Sequence, residues 1–252
     1  MITWIASYPK SGNTWVRFLL HNALHEPTDE LTLVEERIPY VLRVRDRYRP
    51  ESEREDLLKT HLLRRDEHPF VAHTRRAIYV IRDPRDVLMS NLNYRRLRRS
   101  EAETGVREMT DADYARAFID AGGDPVWAGN QLGTWADNAE SWARGAGFPV
   151  LLVRYEDLGA DAHAELARML AFLERPTDEG VIARAVETSS FARLREGEAR
   201  RRGDTPGEAP YFFNRGVSGA SLDELIAPGL DAAFDQVFGE AMGAFGYPLR
   251  AR

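Results

Sequence analysis

The chain has 252 residues, a formal net charge of −6 and no cysteine. That length suits one α/β domain with a full core, and the acidic balance disfavours general polyanion partners such as nucleic acid. The lack of cysteine excludes disulfides, thiolate catalysis and cysteine-held metals.

No apolar run approaches the ~20 residues of a membrane span. The N-terminus enters a strand with no charged n-region, so no membrane partner and a cytoplasmic location are expected. Ile2-Thr3-Trp4-Ile5-Ala6 predicts a buried strand and Trp15 to Leu20 a helix. Between them stands Tyr8-Pro9-Lys10-Ser11-Gly12-Asn13-Thr14. A loop feeding a helix N-terminus offers unpaired N–H groups and the positive end of the helix dipole to an oxyanion. Gly12 permits close backbone approach, Ser11, Asn13 and Thr14 add donors, and Lys10 adds a full charge. A Walker A loop places Lys directly after its second Gly; here Asn13 holds that position. The displacement suggests an anion with one phosphate plus another group, held without a kinase's Mg²⁺ geometry. An ordinary polar βα turn stays open as the alternative. Only two lysines occur, Lys10 and Lys59, the other basic residues being arginine, which suggests positions that need a compact ammonium.

Residues 26–50, broken by Pro27, Pro39 and Pro50, read as loops and a short helix. His21 and His25 lie one helical turn apart but lack a third ligand, and read as packing or surface histidines. Asp56 to Leu63 is a short apolar run interrupted by Lys59-Thr60-His61. On a strand Lys59 and His61 point to the same face and can share a ligand; a structural histidine is the competing reading. Ala77 to Ile81 predicts a central parallel strand. It ends at Arg82, and Asp83, Pro84 and Asp86 then start a helix that carries Ser90. An arginine at that strand end lies where open α/β sheets bind ligands, with a salt bridge to Asp83 or Asp86 as the alternative. Arg95, Arg96, Arg98 and Arg99 read as a solvated helix end.

Residues 100–133 lose apolar periodicity and carry several glycines. They predict a mobile excursion with a short helix near Asp111 to Ile119, of the kind that forms lids or acceptor sites. Trp135 to Trp142 predicts a helix whose two tryptophans enter the core. Phe148 to Asp157 predicts a second buried strand with a Walker B-like acidic end. Helices are expected at 161–173, 178–187 and 231–245, and a flexible loop at 196–210. Arg215-Gly216 sits in a basic, glycine-punctuated turn that is another candidate anion contact.

These residues together resemble the PAPS-dependent sulfotransferase family. Tyr8 to Trp15 is similar to its 5′-phosphosulfate loop YPKSGTTW, departing at Asn13, and Lys59-Thr60-His61 to its KTH segment. Arg82 and Ser90 match its 3′-phosphate motif, and Arg154-Tyr155-Glu156-Asp157 its YED segment. Ser189-Ser190-Phe191 matches its TSF segment, and Arg215-Gly216 its late basic turn, where Asn214 replaces the first basic residue. In texture the chain is most similar to actinobacterial sulfotransferases that modify glycopeptide antibiotics, with similar KTHL and GSW-x-x-N-x-x-SW runs. The family's C-terminal dimer motif is not evident, which leaves a homodimer open.

The resemblance implies a single α/β domain related to P-loop NTPases, with a central, mostly parallel sheet flanked by helices. It implies PAPS as sulfuryl donor, no metal, and His61, Lys10 and Lys59 as the catalytic set. Lys10, Ser11, Gly12, Asn13 and Thr14 would cradle the 5′-phosphate; Arg82, Ser90, Arg215 and Gly216 would hold the 3′-phosphate; Trp15, Tyr155 and Ser189 would complete the nucleotide contacts. The acceptor implied is a small-molecule hydroxyl, phenolic or sugar, of a natural product such as a glycopeptide. A P-loop small-molecule kinase and a catalytically silent nucleotide-binding module remain as alternatives.

Overall fold

A computed structural model of the chain describes residues 1–51, 53–99, 109–144, 147–203 and 221–249. Four strands, β1 (Ile2–Ser7), β2 (Asp56–Thr60), β3 (Thr74–Ile81) and β4 (Val150–Arg154), form a parallel sheet in the order β2-β1-β3-β4. The helices are α1 (Asn13–Leu24), α2 (Leu31–Arg37), α3 (Val41–Val44), α4 (Pro84–Arg99), α5 (Asp111–Asp120), α6 (Pro125–Ala128), α7 (Trp135–Ala143), α8 (Tyr155–Ala160), α9 (Ala162–Phe172), α10 (Glu179–Thr188), α11 (Phe191–Arg202), α12 (Leu222–Leu225) and α13 (Leu230–Ala244).

All six residues of β1 are buried, because a parallel strand covered on both faces has no solvent side. Alternation sorts its side chains between two cores. Ile2, Trp4 and Ala6 join α4, α5, α7 and α13 on one face, while Ile5 joins α1, α9 and α10 on the other. The helix after β1 and the helix after β3 thus lie on opposite faces, although the two strands are neighbours. That is the switch point at which open α/β sheets leave a crevice beyond their carboxyl ends. The loops after β1, β2, β3 and β4 all emerge there.

Three expectations need correction. β4 stops at Arg154, and Tyr155-Glu156-Asp157 opens α8 instead of extending the strand. Glu156 is not a Walker B carboxylate: it accepts hydrogen bonds from the Asp83 N–H (2.9 Å) and the Tyr247 hydroxyl (3.0 Å). The loop expected at 196–210 is helical through Arg202, and 204–210 lie outside the described residues, as do Arg215 and Gly216. Of the excursion, 100–108 lie outside the described residues, while the rest holds α5 and α6. Helix α5 is the short helix expected near Asp111 to Ile119, and it buries Tyr114, Ala115, Phe118 and Ile119. The Tyr8 hydroxyl accepts from the Asp124 N–H at 2.8 Å, tying this segment to the first loop.

Candidate active site

At the carboxyl edge of the sheet lies a cavity of about 340 Å³. Lys10, Gly12, Asn13, Thr14, Trp15, Lys59, His61, Arg82, Ser90 and Tyr155 all line it. Four separate strand ends therefore bring the expected motifs to one place. No carboxylate is among the described residues that line it, so a chain with net charge −6 concentrates basic groups there.

Gly12 caps α1 in the left-handed region, φ 97°, where a Cβ is disfavoured. A Cβ there would also collide with the Tyr155 ring. Lys10 has positive φ as well, 68°. Its ammonium lies 4.3 Å from the Tyr94 ring centroid. Its backbone carbonyl accepts from Arg82 Nη1 at 3.3 Å, which joins the first loop to the end of β3. The Arg82 guanidinium in turn lies 4.1 Å from the Tyr155 ring centroid.

Burial, then the Arg82 charge, lowers Lys10 to about 7. Burial, then the Arg17 charge, lowers Lys59 to about 7. Glu198 and Glu35 act the other way on Lys10 and Lys59 respectively, but burial outweighs them, so both ammonium groups are poised to become fully charged when an anion arrives. His61 is pushed well below 6.5 by burial and by the Lys59 charge. Its Nδ1 lies 2.8 Å from the Ser7 carbonyl oxygen and 3.2 Å from Ser7 Oγ.

Some expected contacts sit elsewhere. Ser189 is fully buried and outside the cavity; its hydroxyl accepts from Asn22 Nδ2 (3.0 Å) and its carbonyl from Trp15 Nε1 (2.9 Å). Its carbonyl fixes the Trp15 indole. Asn13 turns its side-chain amide inward, donating to the Ile5 carbonyl (2.9 Å) and Ser7 Oγ (3.3 Å). Trp15 and Tyr155 meet edge-on, centroids 5.8 Å apart, so they are not two parallel plates. Phe191, 4.7 Å from Trp15, is the further aromatic of that slot; it was legible only as the last residue of the TSF resemblance. Tyr40 and Tyr94 also line the cavity and carry no sequence signal, while Trp127 and Leu132, which line it too, belong to the 100–133 segment expected to form a lid or acceptor site. His21 and His25 pack ring to ring at 5.1 Å, and no group of three or more metal-binding side chains occurs among the described residues.

A family profile described as sulfotransferase domain matches residues 2–246. The chain belongs to the sulfotransferase family. Its relatives include sulfotransferase 1C2 of Rattus norvegicus, 24% identical over 259 residues covering 95% of this chain and 82% of the relative. The protein of the same name from Oryctolagus cuniculus is 25% identical over 214 residues, 80% of this chain and 68% of the relative. The fold is similar to that of mouse sulfotransferase SULT7A1 complexed with PAP (TM-score 0.65, 21% identity, 95% and 83% coverage). It is also similar to retinol dehydratase in complex with retinol and PAP (TM-score 0.71, 18% identity, 100% and 83% coverage). The protein is thus a sulfotransferase, of EC 2.8.2 type. These relatives support the family without singling out the actinobacterial subgroup. No helix among the described residues is long and apolar enough to cross a membrane.

Proposed function

We propose that this sulfotransferase moves the sulfuryl group of PAPS to a hydroxyl of a small-molecule acceptor, with His61 as general base. The observation that carries this reading is the convergence of His61, Lys10 and Lys59 on one cavity. PAPS, when bound, supplies a sulfuryl group already activated on a phosphate leaving group. The residues present fit it: Ser11 Oγ is buried without a hydrogen-bond partner, Arg82 Nε is buried with no hydrogen bond and only a long 4.0 Å ion pair to Asp86, the alternative partner expected from the sequence, and Gly12 keeps open the space a side chain would fill.

Ser11, Gly12 and Thr14, with the backbone N–H of Asn13, cradle the 5′-phosphate at the start of α1. Arg82 and Ser90, with Arg215 and Gly216 from outside the described residues, hold the 3′-phosphate. Trp15, Phe191 and Tyr155 border the adenine. His61 Nε2 takes the proton of the acceptor hydroxyl. Lys10 and Lys59 neutralise negative charge growing at the sulfuryl and leaving oxygens. The kinase reading loses support because Glu156 is committed to Asp83 and Tyr247.

The aromatic walls Tyr40, Tyr94 and Trp127 favour a planar acceptor, and the fold relative bound to retinol is consistent with a small alcohol. Together with the texture of the sequence this supports a phenolic or sugar hydroxyl of a natural product such as a glycopeptide.

Thermal shift with PAP alone, compared with ATP plus Mg²⁺, tests the donor site. PAP is expected to raise Tm without metal, because the Arg82–Ser90 site takes a phosphate that ATP lacks. Equal stabilisation by ATP and Mg²⁺ would remove the reading. Mass spectrometry of hydroxylated natural products incubated with PAPS then identifies the acceptor by its added sulfuryl mass.

A further inference from the structure

Helix α7 holds the site by its polar side chains, and each reaches a different backbone group. Trp135 Nε1 donates to the Arg82 carbonyl at 3.1 Å and Trp142 Nε1 to the Leu62 carbonyl at 2.9 Å. Ser141 Oγ accepts from the Arg64 N–H at 3.0 Å. The helix start is pinned by a capping box between Thr134 and Asp137. The run Trp135-x-x-Asn138-x-x-Ser141-Trp142 thus has a use that core packing alone does not explain.

Asn138 stands at the centre of this array. It is fully buried, and its Nδ2 donates to two carbonyls, His61 and Leu132, each at 2.9 Å. Its Oδ1 accepts from the Tyr79 hydroxyl of β3 at 2.9 Å. Both N–H bonds of one planar amide are used, and the third bond fixes that amide to the central sheet, so it cannot turn without orphaning buried groups. The two carbonyls it grips belong to residues that line the cavity from different segments. A backbone bond, Leu63 N–H to the Gln131 carbonyl at 2.9 Å, runs beside them.

We propose that Asn138 is a positioning residue that locks the His61 segment to the Leu132 wall, so that the base and the acceptor side of the cavity keep one geometry. The role as base rests on the function proposed above; the lock itself does not. One short amide spanning both carbonyls leaves little freedom for either segment to move alone. The His61 ring is then held against Ser7 only while its own backbone is held by α7.

Native-state hydrogen exchange on the wild-type protein tests the lock directly. Amides of residues 61–63 and 131–133 are expected to open together, with the same denaturant dependence, while those of β3 open separately and more slowly. In Asn138→Ala, and in the same-shaped Asn138→Asp, both stretches should exchange at least about tenfold faster, the scale of losing one net hydrogen bond. The two ring ¹⁵N resonances of His61 should also converge as the ring leaves Ser7. Independent opening of the two stretches in the wild type would overturn the proposal even if neither variant folds. A variant with lower Tm but unchanged joint opening and unchanged ring resonances would reduce Asn138 to a packing residue. PAP thermal shift is run alongside: its absence in the wild type would sink the functional reading and leave the exchange result to stand.

Discussion

The Nδ1 of His61 lies 2.8 Å from the carbonyl oxygen of Ser7, and a carbonyl only accepts. The ring proton is therefore on Nδ1, and Nε2 carries the lone pair. Ser7 ends β1 and His61 follows β2, so pairing of these neighbouring strands sets the tautomer. His61→Ala should lower kcat by ~10²-fold or more, the usual scale of general-base catalysis, while the PAP-induced rise in Tm stays as in the wild type. Full turnover in that variant would assign the proton to another group.

The pH profile of kcat/KM for PAPS should be bell-shaped, because it reports the free enzyme. Burial, then the Lys59 charge, holds His61 well below 6.5. The active neutral ring is therefore lost only as pH falls through a value below 6.5. Lys10 and Lys59 sit at about 7, so their charge, and with it donor affinity, declines as pH rises through that value. PAP binding near pH 7.5 should take up protons, visible as a dependence of calorimetric enthalpy on buffer ionisation. No uptake would mean that the lysines are already charged in the free protein.

The same shift bears on stability. Each lysine has a folded value near 7 against an unfolded value near 10.5, so between those limits the unfolded chain binds more protons. Ligand-free stability from this source rises with pH across that window and is least below pH 7. Lys59→Met, which removes an ammonium whose burial outweighs the Glu35 attraction, should raise the ligand-free Tm at pH 7 by a few degrees and abolish turnover. A drop in Tm would show that the ammonium is compensated.

Lys10→Arg keeps the charge and changes its shape. The Lys10 ammonium lies over the Tyr94 ring, 4.3 Å from its centroid, and feels the Arg82 charge, a setting suited to a compact ammonium. A planar guanidinium should stand off from the leaving oxygen, costing roughly 10² to 10³ in kcat, the scale for one electrostatic donor. PAP binding should persist through Arg82 and the loop. Near-normal turnover would make the rarity of lysine in this chain an accident.

Gly12→Ala combines an unfavourable φ with a collision against Tyr155. Strain of about 1 to 3 kcal/mol should weaken PAP binding by at least about tenfold. Shortening the neighbour in Gly12→Ala/Tyr155→Leu should recover part of it, because the two sites are coupled through contact. Additive losses in that double variant would locate the defect in backbone strain alone.

Local order was plain in the chain. The apolar runs of β1 and β3, the loop from Tyr8 to Thr14 and the Asp83-Pro84 helix start are short-range signals. The Tyr155-Glu156-Asp157 start of α8 was also there to read, in acidic residues suited to a helix N-terminus, but an adjoining apolar strand masked it. The lysine count singled out Lys10 and Lys59 without any coordinate. Folding alone decided that four strand ends separated along the chain meet at one edge, since parallel pairing aligns all carboxyl ends. It also decided that Asn13 turns inward, that Ser189 serves Trp15, and that Tyr40, Tyr94, Trp127 and Leu132 form walls. An aromatic residue in a sequence carries no mark that separates core from cavity. The near-neutral lysines belong to the fold as well, because desolvation is a property of everything packed around a charge and not of its neighbours in the chain.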